Sequence, residues 1–243
     1  MRLTPDKKKD TDLVKVGEKK PTILNVHLLD GSSSMAWNNK YENAEEGINT
    51  EMGILKNDPN ADYLQTIIQF TSGITYPKTA VYNEYIVNKP LSEVKMFKGK
   101  GAHGNTPLYE AIGYTIEKIL GQKTQEDRVI LKIFTDGQEN DSDPLGLYNN
   151  TPKGRKALYD LIQDVQNNHK FTVTFVGTPE DTQTIIKNLG IDIGNTFTHN
   201  NTGEGVKMSY ARGAGATMAF SEEVKTRGIS TSKTFYTKSV EKK

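Results

Sequence analysis

Asp30, Ser32 and Ser34 place an oxygen-bearing side chain on every second residue, directly after the apolar run Ile23 to Leu29. In extended chain, residues i, i+2 and i+4 point to one side, so this spacing predicts that the three side chains converge. One carboxylate and two hydroxyls, with neither sulfur nor imidazole, suit a hard divalent cation such as Mg²⁺. Two later segments offer matching oxygens: Thr106 in Gly104-Asn105-Thr106-Pro107-Leu108 and Asp136 in Thr135-Asp136-Gly137. The candidate ligands are therefore Asp30, Ser32, Ser34, Thr106 and Asp136.

Positioning them requires elements whose ends meet. Ile23 to Leu29, interrupted only by Asn25 and His27, reads as a strand covered on both faces. Ala44, Ile48, Met52 and Leu55 recur on one helical face, as do Leu108, Ala111, Ile112, Thr115, Ile116 and Ile119 after Pro107. Leu64 to Phe70, Val129 to Phe134 and Phe171 to Val176 read as further strands, with Thr196 to Thr198 as a small last one. Ile74 to Val81 and Tyr85 to Val87 are candidates for a short antiparallel edge. Helices are expected around Ala157 to Val165 and Thr182 to Leu189. A last helix carries the stripe Val206, Tyr210, Ala214, Thr217, Phe220 and Val224, with Asn201 and Glu204 as a variant capping box. The alternation predicts an α/β fold: a doubly wound, mostly parallel central sheet with helices on both faces and one short antiparallel edge. Such sheets bind ligands outside the carboxyl ends of their strands, where both Asp-Gly pairs fall.

The chain has 243 residues, with 31 basic against 30 acidic side chains and no cysteine. That balance provides no global field for nucleic acid or an anionic membrane, and no apolar stretch approaches the roughly 20 residues that span a bilayer. Without cysteine there is no disulfide, thiolate zinc site or cysteine nucleophile, and a reduced, cytoplasmic setting is the simplest expectation. Residues 1–20 read as a charged leader without a secretory core, 21–228 as one domain, and 229–243 as a polar, basic, poorly ordered tail.

Asp30-x-Ser32-x-Ser34, Thr106 before Pro107 and Thr135-Asp136-Gly137, taken in this order, resemble the von Willebrand factor A (VWA) domain over about residues 21 to 225. That family carries a metal-ion-dependent adhesion site (MIDAS), usually holding Mg²⁺ or Mn²⁺. The resemblance implies that Ser32 and Ser34 ligate the metal directly. It implies that Thr106 binds directly or through water, and that Asp30 and Asp136 act largely through water. It also implies that an acidic side chain of a partner protein completes the coordination, in an intracellular module that works beside an AAA-class ATPase or an operon-encoded partner. Integrin-type relatives couple such ligation to a shift of the last helix, and the stripe with Gly213, Ala214 and Thr217 reads as a lightly anchored face. The rim residues expected to meet the partner are Ser33, Met35, Trp37, Asn105, Gln138 and Glu139.

Other chemistries lack their residues. Gly31-Ser32-Ser33-Ser34-Met35 fails the Gly-x-Ser-x-Gly elbow at its last position. Ser32 stands where an aspartyl-phosphate site would show a second Asp. Neither a P-loop nor a Gly-x-Gly-x-x-Gly segment is present. The expectation is a binding protein rather than an enzyme. His103 is expected to serve loop packing or face solvent, since hard cations prefer oxygen, and Glu139 to Asp143 to form a solvated acidic loop. The alternative function is a structural subunit of a phage or another assembly, in which the metal is not needed for binding.

Overall fold

A computed structural model describes residues 19–73 and 80–237. The charged leader up to residue 18, the expected edge residues 74–79 and the last six residues lie outside the described set. The chain runs β1 (Thr22–Asp30), α1 (Lys40–Leu55), β2 (Asp62–Ser72), β3 (Ala80–Pro90), α2 (Leu108–Leu120), β4 (Arg128–Phe134), α3 (Pro152–Asn168), β5 (Phe171–Gly177), α4 (Pro179–Leu189), β6 (Thr196–Thr198) and α5 (Gly203–Arg227). The strands form one sheet in the order β3-β2-β1-β4-β5-β6. Every pair is parallel except β2 with β3. The order reverses at β1, which lies between β2 and β4. The switch point of the sheet is thus at the end of β1, where Asp30 sits.

Side-chain alternation along β1 explains the two layers. Leu24, Val26 and Leu28 face the cluster built with α2, α3 and α4, whereas Ile23 and Leu29 face the cluster built with α1 and α5. The two polar interruptions, Asn25 and His27, share the second face and are buried there. They meet Glu51 of α1 and Lys132 of β4. Lys132 Nζ donates to Glu51 Oε1 and, at 2.7 Å, to Thr217 Oγ1 of α5. Asn25 Nδ2 donates to Glu51 Oε1 at 3.2 Å and to Gln65 Oε1 at 3.0 Å. A polar lock therefore ties α1, α5 and three strands together beneath an otherwise apolar layer.

Three local expectations are corrected. The antiparallel edge is not short: β3 has 11 residues, as many as β2. Its side chains are mostly half-buried, which blurs the alternation that marks a strand in sequence. The cap of α5 is Thr202, whose side chain accepts from Gly205 N at 3.1 Å; Asn201 is used elsewhere. Residues 229–237 are not a loose tail. Phe235 and Tyr236 are buried, and the segment is stitched down by Ser232 N to Thr172 Oγ1, Phe235 N to Asn195 Oδ1 and Tyr236 N to Gly194 O. Arg212 of α5 also donates to Tyr236 O at 3.0 Å. The stripe expected to be lightly anchored is thus held by the polar lock from below and by this strap from the side.

Candidate metal site

β1 ends in Asp30, and the chain then turns rather than staying extended. Ser32 is still extended, but Ser33–Asn39 forms a 3-10 turn in which Met35 N donates to Ser32 O at 3.0 Å. The three side chains meet all the same, through this turn. Ser32 N donates to Asp30 Oδ1 at 2.7 Å, Ser32 Oγ lies 3.1 Å from Ser34 Oγ, and Ser34 Oγ donates to Asp136 Oδ1 at 2.7 Å. Thr135 Oγ1, one residue before Asp136, donates to Asp30 Oδ2 at 2.6 Å. The ends of β1 and β4 are joined directly by these bonds.

The third segment is pinned onto the first. His103 N donates to Gly31 O at 2.6 Å and Ser33 N to Gly104 O at 3.0 Å. Ser33 Oγ also donates to Gly104 O. Gly104 has φ +76°, and a Cβ there would lie 2.3 Å from Ser72 O, so only glycine lets this loop lie against β2. The loop delivers Thr106, which is buried, to the same place. A Cβ at Gly137 would stand 3.4 Å from Thr106 Oγ1 and 3.7 Å from Ser34 Oγ. The two hydroxyls therefore flank Gly137. These distances are ordinary van der Waals contacts, so Gly137→Ala should fold like the parent. A methyl wedged between two candidate ligands should nevertheless weaken divalent-cation binding about ten-fold or more, the size expected for disturbing groups around a metal. Calorimetric titration of both proteins with Mn²⁺ checks this, and equal affinities would place the ion elsewhere.

The five candidate ligands are thus brought together: Asp30, Ser32 and Asp136 buried, Ser34 half-buried, Thr106 alongside. Burial, opposed by the hydrogen bonds from Thr135 and Ser32 and helped by the charge of Asp136, raises the Asp30 carboxyl from 3.8 to about 7. The donor set is two carboxylates and three hydroxyls, which fits a hard cation and no soft one. Among the described residues no group of three or more His, Cys, Asp or Glu could hold a metal. Any metal here must rely on hydroxyl oxygens.

One residue was not anticipated. Lys40, the first residue of α1, is 2% exposed. Its Nζ donates to Asp136 Oδ2 and, at 2.8 Å, to Asn201 Oδ1 just before α5. No pattern near Lys40 announces this, because its partners lie 96 and 161 residues away.

The rim residues separate. Trp37 is 72% exposed, carried outward by the turn that Asn38 and Asn39 make, both at φ 54°. Asparagine is among the few side chains that adopt this left-handed region readily. Gln138 is exposed, Asn105 is half-buried, and Ser33 is exposed but engaged with Gly104. Met35 is fully buried beneath the rim. Glu139 turns inward: Oε2 accepts from Tyr109 N at the start of α2, and Oε1 from Asp141 N and Ser142 N. That carboxylate organises the acidic loop instead of joining a solvated run. Beside Asp136 an open cleft of about 460 Å³ runs past Gln138 and Asn201 to Thr178, Glu180 and Asp181 at the start of α4.

No protein-family model and no curated protein matches the sequence. Solved structures do. The PilB minor pilin from Streptococcus sanguinis (D319A mutant) matches with TM-score 0.55 at 11% identity, over 85% of this chain and 63% of that one. The pilus adhesin SpaC from Lactobacillus rhamnosus GG matches with TM-score 0.54 at 12% identity, over 83% and 31%. Proximal thread matrix protein 1 from the mussel byssus matches with TM-score 0.52 at 13% identity, over 80% and 47%. This chain spans less than two thirds of each of these proteins. At such identities the similarity is one of fold, and it supports the VWA-like α/β architecture that the strand order describes. No helix among the described residues is long and apolar enough to cross a membrane.

Proposed function

We propose that this chain is a metal-dependent protein-interaction module, which holds Mg²⁺ or Mn²⁺ at Asp30, Ser32, Ser34, Thr106 and Asp136 and captures an Asp or Glu side chain of a partner protein. The observation that carries the reading is the meeting of three hydroxyls and two carboxylates, from three loops, at the switch point of a parallel sheet. Ser32, Ser34 and Thr106 offer neutral oxygens. Asp30 orients the first loop through Ser32 N, and Asp136 orients Ser34. When bound, a divalent ion in so weakly anionic a setting would supply an open electrophilic position for an incoming carboxylate. Such a site serves recognition better than catalysis. Proximal thread matrix protein 1 has been crystallised with zinc in a MIDAS motif, which is in keeping with this reading. An AAA-class ATPase or an operon-encoded protein is the partner we would seek first. Neither nucleic acid nor membrane enters the reading. The cysteine-free composition leads us to place the chain in the cytoplasm, although PilB and SpaC are pilus proteins by name; cell fractionation decides the point.

Binding to the folded state alone stabilises by about 2.7 kcal/mol at a hundred-fold excess over Kd. The melting temperature should therefore rise with Mg²⁺ in the parent and stay flat in Ser32→Ala/Ser34→Ala. An equal rise in both would place the ion elsewhere. Partner capture from lysate that survives EDTA would favour the structural-subunit alternative instead.

A further inference from the structure

We propose that Lys40 is a built-in counter-ion that weakens the hold of this site on its metal and strengthens the metal's hold on a partner's carboxylate. The inference rests on the metal-binding reading above and adds to it a residue that is no ligand. Lys40 Nζ lies on Asp136 Oδ2 with both groups buried, so its charge acts through protein rather than bulk water. Buried charges interact several-fold more strongly than exposed ones. The other carboxylate oxygen, Oδ1, is taken by Ser34 at 2.7 Å. Asp136 is thereby held by Lys40 on one side while its second oxygen faces the hydroxyl cluster.

Charge arithmetic then gives the consequence. With both carboxylates ionised, Asp30 and Asp136 carry two negative charges and Lys40 returns one. A dication in the site leaves a net charge of plus one beside the open position. Without Lys40 the loaded site would be neutral. The ammonium therefore opposes entry of the cation and favours entry of the anion. It also reaches Asn201 Oδ1 at 2.8 Å, so the group that sets this balance is anchored to the segment leading into α5.

Water-proton relaxation with Mn²⁺ reads both halves of the proposal, because it reports the metal affinity and then the displacement of metal-bound water by added acetate. Lys40→Met should bind Mn²⁺ about ten-fold more tightly yet need several-fold more acetate to displace the water. Asn201→Asp changes an exposed side chain and keeps Lys40 in place while cancelling its field. It should move both readings in the same directions, and it keeps the test open if Lys40→Met does not fold. Lys40→Arg keeps the charge and should stay near the parent. Parent-like Mn²⁺ affinity in Lys40→Met and Asn201→Asp, or metal and acetate affinities that rise together, would overturn the role of Lys40. A parent protein that binds no Mn²⁺ would overturn the metal reading itself.

Discussion

Glu51→Gln should destabilise the protein by about 3–5 kcal/mol, the cost of stranding one partner of a buried ion pair. Glu51 and Lys132 are almost wholly enclosed. Burial alone would raise the Glu51 carboxyl, but the charges of Lys132 and His27 hold it below its ordinary range. Burial pushes Lys132 below the ordinary lysine range despite its partner. With the carboxylate gone, the ammonium keeps Thr217 Oγ1 and the amide oxygen that Glu51→Gln leaves as acceptors, but neither supplies a counter-charge. Replacing both residues, as Glu51→Leu/Lys132→Met, should recover most of the loss, because a buried pair exchanged for apolar groups of similar size is often near neutral. Thr217 would still be satisfied, since it donates to Gly213 O at 2.8 Å. Urea unfolding of Glu51→Gln gives the loss, and unfolding of Glu51→Leu, Lys132→Met and their double gives the coupling. A loss below about 1 kcal/mol in Glu51→Gln would mean that the Lys132 ammonium is not stranded there.

The same lock shows what the sequence discloses and what it hides. Continuous apolar runs and period-3.6 stripes are local, so β1, β4, β5 and the stripes of α1, α2 and α5 were legible from residue order. Asp30, Ser32, Ser34 and Asp136 were legible as candidates because they sit at or just past strand ends, and Thr106 because it precedes the start of α2. Asn25 and His27 read only as interruptions of an apolar run, because their partners Glu51 and Gln65 belong to other elements. Lys40 was invisible for the same reason: whether a lysine is solvated or buried against Asp136 depends on a contact across 96 residues. Asn201 and Thr202 are both good caps, and only the bond from Gly205 N distinguishes them. Phe235 and Tyr236 stand in a polar stretch with no periodicity, so nothing local marks them as core. The three small or polar positions of α5 suggested a helix free to slide. The contacts instead give such a movement a cost, since it must break Lys132 to Thr217 and the Arg212 bond to the strap.

Asp30→Asn should stabilise the metal-free protein at pH 8 by about 2–4 kcal/mol while abolishing its response to Mg²⁺. A carboxyl raised from 3.8 to about 7 on folding carries about 4 kcal/mol of destabilisation once ionised in the folded state. Its contribution to stability is complete below pH 3.8 and is lost as the pH rises through about 7. Asparagine keeps the shape and accepts from Ser32 N, yet has no charge to bury. It gives up part of the bond to Thr135, so the gain falls short of the full figure. His27 works in the opposite direction over nearly the same window. Burial, with a smaller push from Lys132 and against the pull of Glu51, lowers its imidazole from 6.5 to about 4. Its contribution is present above pH 6.5 and is lost as the pH falls toward 4, by about 3 kcal/mol. In the metal-free parent these two contributions offset each other between pH 4 and 6.5, which leaves the smaller loss on acidification that burial of His199 adds. Asp30→Asn removes one side of that balance, so the variant should lose about 3 kcal/mol on acidification through the same range. His27→Asn added to it should remove most of that slope. Urea unfolding in EDTA from pH 4 to 8 measures all three proteins. An Asp30→Asn variant less stable than its parent at pH 8 would show that Asp30 is not a strained buried anion awaiting a cation, and would remove the reason this rim has to bind one.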